Sequence, residues 1–174
     1  MASRREVRVE QRCQLGGSLL TSVHDEKGGE RMDDLLSHAL KLLPHGPEFR
    51  FVDRLIELDP GKHGVGEYSV RGDEPFLRSH FPGQPLMPGV LLLEAAAQLA
   101  GTVAQSDPSL APLSGLKLTA LHRAKILGAP RPGEVIRLEA RITGRLGNLV
   151  QAQASATVGA RLVLQADLTL SGEP

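Results

Sequence analysis

Apolar residues recur at helical spacing from Met32: Leu35, Leu36, Ala39, Leu40 and Leu43 share one face, and Asp33 and Asp34 stand where a helix dipole favours acids. Pro44 is the expected stop. The period then changes. Phe49 to Leu58 mixes alternation with short apolar runs and predicts a strand, Asp59-Pro60-Gly61 predicts a turn, and Lys62 to Val70 alternates through Val65, Tyr68 and Val70 as a second strand. Residues 71–87 hold Pro75, Pro82 and Pro85 and predict an irregular loop. From Val90 to Ala104 the chain is apolar nearly all round, with Glu94 its one charged side chain, so a buried helix is expected, entered through Pro88. Leu116 to Ile126, Glu134 to Gly144, Leu149 to Thr157 and Leu162 to Leu170 read as strands, the last two breaks (Gly147-Asn148 and Gly159-Ala160) being short enough for hairpins. This order predicts an α+β domain, an antiparallel sheet packed on one hydrophobic helix.

Composition narrows the picture. The chain has 174 residues, enough for one self-sufficient core. Only 3% are aromatic and none is Trp, so that core is built from Leu, Val, Ile and Ala and suits an alkyl ligand. The 20 basic and 20 acidic residues cancel, which argues against nucleic acid as partner. Cys13 stands alone, which excludes an internal disulfide and leans toward a reducing compartment. Arg4, Arg5, Arg8 and Arg12 are not followed by the apolar stretch of a secretory signal, and no run approaches the roughly 20 apolar residues of a membrane span. The expectation is a cytoplasmic protein with no membrane partner. Residues 1–31 are polar and glycine-containing and read as a mobile extension; residues 32–172 read as the folded domain.

The candidate chemistry sits where the loop meets the helix. His80 lies among three prolines that stiffen its loop, the kind of setting that holds a general base in place. Its alternative is a loop histidine bonded to a nearby carbonyl. Glu94 has two readings as well. Facing the core, its carboxyl is pushed toward the neutral acid, a proton donor near neutral pH. Facing outward, it belongs to a narrow wet stripe with Gln98, Gly101, Thr102 and Gln105, which fall on the same helical face. Gln98, one turn on, either orients Glu94 or is an ordinary surface glutamine. Gly89 and Val90 open the helix, where backbone amides lack partners and a glycine admits close approach, so a developing oxyanion could be held there. A base, an acid and oxyanion donors together suit β-elimination of water next to a carbonyl. A histidine of ordinary pKa, about 6.5, is too weak to take such a proton without the oxyanion donors.

These residues resemble a known family. His80-Phe81-Pro82-Gly83-Gln84-Pro85-Leu86-Met87-Pro88-Gly89-Val90 with Glu94-Ala95-Ala96-Ala97-Gln98 is similar to the signature of the FabZ-type 3-hydroxyacyl-[acyl-carrier-protein] dehydratases of fatty acid biosynthesis. Leu43-Pro44-His45 with Phe49 and Val52-Asp53-Arg54 resembles that family's N-terminal motif, and Arg123-Ala124-Lys125 with Arg131-Pro132-Gly133-Glu134 its basic strand and turn. The resemblance covers roughly residues 32–171 and implies a hot-dog fold, a sheet wrapped around a long central helix. It implies a homodimer, often assembled further into hexamers, whose sites take the histidine from one subunit and the glutamate from the other. The implied reaction converts a (3R)-3-hydroxyacyl group on acyl carrier protein to the trans-2-enoyl form, without metal or other cofactor. His80 is then the base at C2, Glu94 the acid at the C3 hydroxyl, and Gly89 and Val90 the thioester-oxygen donors. Arg123, Lys125 and Arg131, each also readable as solvated surface, are candidates to meet an acidic carrier protein. Two positions depart from the pattern: Gly46-Pro47-Glu48 stands where the family has Arg-Tyr-Pro, so its aromatic gate is missing at Pro47, and Ser79 replaces the usual glycine. The rival readings are another hot-dog thioester enzyme, a thioesterase or enoyl hydratase, and a non-catalytic acyl-binding subunit.

Overall fold

The structure, a computed structural model, describes residues 26–173. The first helix, α1 (Glu26–Leu40), begins before Met32 and ends before Pro44. Its last turn tightens, Lys41, Leu42 and Leu43 donating their amides three residues back to His38, Ala39 and Leu40, so the helix has already closed when Pro44 arrives. The helix expected from Met32 therefore starts at Glu26. The rest of the expected extension, residues 1–25, lies outside the described residues.

The strand expected from Phe49 starts later. Pro47–Phe49 forms a 3-10 turn with proline at its start, and the Phe51 amide donates to the Gln98 side chain at 2.8 Å instead of joining a ladder. Strand β1 runs Arg54–Asp59 and β2 runs His63–Ser69. The loop expected over 71–87 holds a short helix, α2 (Pro75–Ser79), because Pro75 occupies the first helical position, where its missing N–H costs nothing. The long helix α3 (Gly89–Gln105) follows, then β3 (Ser114–Ile126), β4 (Val135–Leu146), β5 (Leu149–Val158) and β6 (Arg161–Glu173).

The six strands form one antiparallel sheet in the order β1-β2-β4-β5-β6-β3. Period-two alternation gives it one buried face: Ile136, Leu138 and Ala140 of β4, Val150, Ala152, Ala154 and Ala156 of β5, and Leu164, Ala166, Leu168 and Leu170 of β6 are buried. α3 lies in the core with them, presenting Ala95, Ala96, Leu99, Ala100 and Val103. Small residues on both surfaces let helix and sheet approach closely. At Gly64 of β2 the approach is tightest, since a Cβ there would stand 2.5 Å from Val103.

β3 pairs with β6 on one side and leaves its other edge open within the chain. Leu121, Ile126 and Leu127 are exposed at or just beyond this edge; Phe81 and Val90 are exposed as well, Val90 at 68%. Single exposed apolar residues are ordinary, but an open strand edge bearing several is an invitation to pair with another chain. Among the described residues no helix is long and apolar enough to cross a membrane.

Candidate active site

Glu94 occupies the second turn of α3, and three neighbours define its surroundings. Gln98, one helical turn on, donates from Nε2 to Glu94 Oε1 at 3.0 Å. His45, carried in by the segment after α1, sets its Nε2 3.2 Å from the same oxygen. Gln98 is itself immobilised: its Nε2 also donates to the Phe49 carbonyl and its Oε1 accepts from the Phe51 amide, both at 2.8 Å, and it is 2% exposed. It is thus a buried orienting group and not a surface glutamine. The Glu94 side chain is 24% exposed, so the burial inferred from helix composition is incomplete in the single chain. It faces neither the packed core nor open solvent, but a cavity.

That cavity, of about 420 Å³, follows one face of α3 past Glu94, Gln98, Gly101, Thr102 and Gln105 toward Leu116, Leu118 and Leu170. The polar face read from the sequence is therefore real, yet it lines a slot. Its polar atoms are turned inward on the protein: Thr102 donates its hydroxyl to the Gln98 carbonyl at 3.0 Å, and Gln105 exchanges two hydrogen bonds with the Leu113 backbone at 2.7 and 2.9 Å. The slot's wall is therefore mixed, with Ala97, Gly101 and leucine side chains beside the Glu94 carboxyl and His45. From Glu94 to Gln105 the helix rises about 16 Å, room for an extended alkyl chain.

His80 is placed differently. It is the residue after α2, its amide donating to the Phe76 carbonyl at 3.0 Å. Phe81 follows at φ 61°, in the left-handed region unusual for an aromatic residue, with its ring centroid 4.4 Å from the imidazole. The His80 Nδ1 is enclosed and has no hydrogen-bond partner. His80 does not line the cavity that holds Glu94. Within one chain, the two expected catalytic groups are not brought together.

At the start of α3, Leu91 and Leu92 both donate to the Pro88 carbonyl, so Gly89 and Val90 are the amides that precede the helical ladder. Gly89 is a close approach: a Cβ there would meet Ile126 at 2.6 Å. Of the basic candidates, Arg123 is paired with Asp167 across β3 and β6, while Lys125 and Arg131 are exposed. Among the described residues no three His, Cys, Asp or Glu side chains cluster as a metal site would require.

In the sequence His45 stands only within the Leu43-Pro44-His45 motif, with no role of its own; its partner Glu94 is far along the chain and invisible to local pattern. An aromatic ring also stands near the departure at Pro47: Phe49, half-exposed, lies with its centroid 6.1 Å from His45 and 5.1 Å from Phe51.

The architecture, a sheet laid around one buried helix, puts the chain in the hot-dog class of α+β proteins. It matches the dehydratase heterocomplex ApeI:P from Xenorhabdus doucetiae with TM-score 0.67 over 80% of this chain and 91% of that one, at 15% identity. Zebra fish thioesterase superfamily member 2 matches with TM-score 0.58 over 77% of this chain and 91% of that one, at 17% identity. At such identities the likeness is one of fold alone. Sequence similarity goes further. A family described as the FabA-like domain matches residues 43–167. The 3-hydroxyacyl-[acyl-carrier-protein] dehydratase FabZ of Chloroflexus aggregans is 39% identical over 133 residues, covering 76% of this chain and 92% of that protein. The FabZ of Clostridioides difficile is 38% identical over 128 residues, covering 74% and 89%. The chain belongs to the FabZ-type 3-hydroxyacyl-[acyl-carrier-protein] dehydratases of the FabA-like family.

Proposed function

We propose that this protein is a hydro-lyase that dehydrates (3R)-3-hydroxyacyl groups on acyl carrier protein to the trans-2-enoyl form, in a site shared by two copies of the chain. The observation that carries the shared site is the slot itself: a carboxyl held by Gln98 and His45 on the wall of an alkyl-sized cavity that His80 does not reach. A second copy laid on the open β3 edge would cover Val90, Ile126 and Leu127 and bring its own His80 toward that cavity. The identity with curated dehydratases supports the reaction class.

The chemistry follows from the groups. With Nδ1 enclosed, Nε2 of His80 is the nitrogen left to take the C2 proton. Negative charge moves onto the thioester oxygen, held by the Gly89 and Val90 amides at the positive end of α3. The electron pair forms the C2–C3 double bond, and the C3 hydroxyl leaves as water with the proton of Glu94 from the partner subunit. Transfer of the proton from His80 to Glu94 resets the site. The acyl chain lies along the slot beside Gly101 and Leu116. Lys125 and Arg131, with Arg123 as a further cation, serve the acidic carrier protein, where they act on association rate and its salt dependence.

The test is turnover of a 3-hydroxyacyl thioester followed by enoyl absorbance, with free thiol measured alongside to detect hydrolysis. His80→Ala and Glu94→Gln should each lower kcat by about 10²–10⁴-fold, the usual contribution of a positioned acid or base. Full activity in either variant refutes that residue's role, and thiol release without enoyl formation refutes dehydration.

A further inference from the structure

The most buried charged side chain among the described residues takes no direct part in this chemistry. Glu74, 6% exposed, sits in the loop between β2 and α2 and uses both carboxylate oxygens. Oε1 accepts from the Tyr68 hydroxyl at 3.0 Å and from the Arg71 amide at 2.8 Å; Oε2 accepts from the Gly72 amide at 2.8 Å. Gly72 stands at φ 103°, a conformation open to glycine, so the loop is folded around the carboxylate. Burial alone pushes this carboxyl up, but the amides of Arg71, Glu74 and Gly72 and the Tyr68 hydroxyl outweigh it and hold it below the usual carboxylate range. Burial and the facing carboxylate push the Tyr68 phenol up, so it remains a donor.

Both ends of this arrangement lead to the site. On one side Glu74 is the N-cap of α2: its carbonyl accepts from Leu77, and one turn later the helix delivers His80. α2 is 5 residues long, far too short to be stable alone, so its direction is set by what anchors its first turn. On the other side Tyr68 is fully buried, edge-on to Phe51 at 5.5 Å, and Phe51 also meets Phe76 of α2 at 6.1 Å.

We infer that Glu74, with Tyr68 as its fixed counterpart, is the positioning residue for His80: the buried carboxylate orients α2 and thereby aims the imidazole at C2 of the substrate. This rests on the dehydratase reading above. It assigns work to a group that touches neither substrate nor reacting atoms, so its loss should fall on the chemical step and not on binding.

The experiment uses the full-length assembled protein and compares wild type, Glu74→Gln and Tyr68→Phe for kcat on a 3-hydroxyacyl thioester, the dissociation constant of the enoyl product, and thermal midpoint. Glu74→Gln places an amide group against a backbone N–H and should lower kcat by roughly 10–100-fold, the scale of an ångström-sized misplacement, while product affinity stays within about threefold. Tyr68→Phe keeps the ring on Phe51 and removes one hydrogen bond; it should fold like wild type and lose about threefold to tenfold in kcat with the same unchanged affinity. Tyr68→Phe with wild-type kcat overturns the inference even where Glu74→Gln fails to fold. Parallel loss of kcat and product affinity also overturns it, as general damage. An active wild type with an unaffected Glu74→Gln refutes the positioning role alone. A wild type that dehydrates no 3-hydroxyacyl thioester refutes the dehydratase reading and this inference together.

Discussion

Four side chains illustrate what one dimension reveals and what it hides. Glu94 stands out as a candidate because a lone charge in an apolar helix violates the rule for buried helices, and His80 because prolines crowd its loop. His45 and Glu74 do not, since each acquires its meaning from a contact made after folding, His45 with Glu94 and Glu74 with Tyr68. Glu74 did carry a weak signal, an acid directly before a proline that opens a helix. Its depressed pKa makes a residue-scale prediction about acid stability. A carboxyl lower in the folded state than its ordinary 4.5 contributes stability above that pH, and the contribution is lost as pH falls through the folded value. Glu74→Gln removes the titration. The stability gap between wild type and variant should therefore be constant from neutrality down to about pH 5 and shrink below the unfolded pKa. Denaturant unfolding at fixed protein concentration across this range measures it; a gap that stays constant through pH 3 contradicts the role of the charged form.

At the scale of elements, alternation and hairpin signals located β4, β5 and β6 to within three residues at every end, because their inner faces meet one helix and their outer faces meet water. The start of β1 and the existence of α2 were hidden for one reason. In both places a side chain, Gln98 or Glu74, takes backbone amides that pattern-reading assigns to a ladder or a loop. α3 was legible as a buried helix, but not that its polar stripe lines a slot, because that depends on where Leu116 and Leu170 fall. Gly101 lies midway along this slot, and a Cβ there would meet Leu116 at 3.6 Å and Leu170 at 3.9 Å, ordinary contact distances. A larger side chain is thus tolerated by the backbone and intrudes on the cavity proposed for the acyl chain. Gly101→Leu should leave kcat/KM for short 3-hydroxyacyl chains within about threefold and lower it about tenfold or more for long ones, as expected when several methylenes lose their pocket. A chain-length series on the variant measures this. Equal loss at every length would mean that the slot does not hold the alkyl chain.

For the whole molecule, the open β3 edge and the separation of His80 from the Glu94 cavity make the same demand. On the proposed reading one chain would supply two half-sites, and a second copy would complete both by symmetry. In the sequence this proposed arrangement is suggested only by family resemblance, since no local pattern distinguishes a strand edge that faces water from one that faces a second copy. The demand can be tested without a complex structure. His80→Ala and Glu94→Gln subunits, each inactive as a pure species, should regain activity when co-expressed or exchanged. In a mixed pair one site combines both defects, but the other joins the intact His80 of one subunit to the intact Glu94 of the other. Random pairing makes half the dimers mixed, so about a quarter of wild-type activity should return. If His80 and Glu94 acted within one chain, every site in a mixed pair would carry one defect and nothing would return. Recovery near one quarter thus separates the two geometries, and its absence, with mixed dimers demonstrated by differential tagging, overturns the shared site.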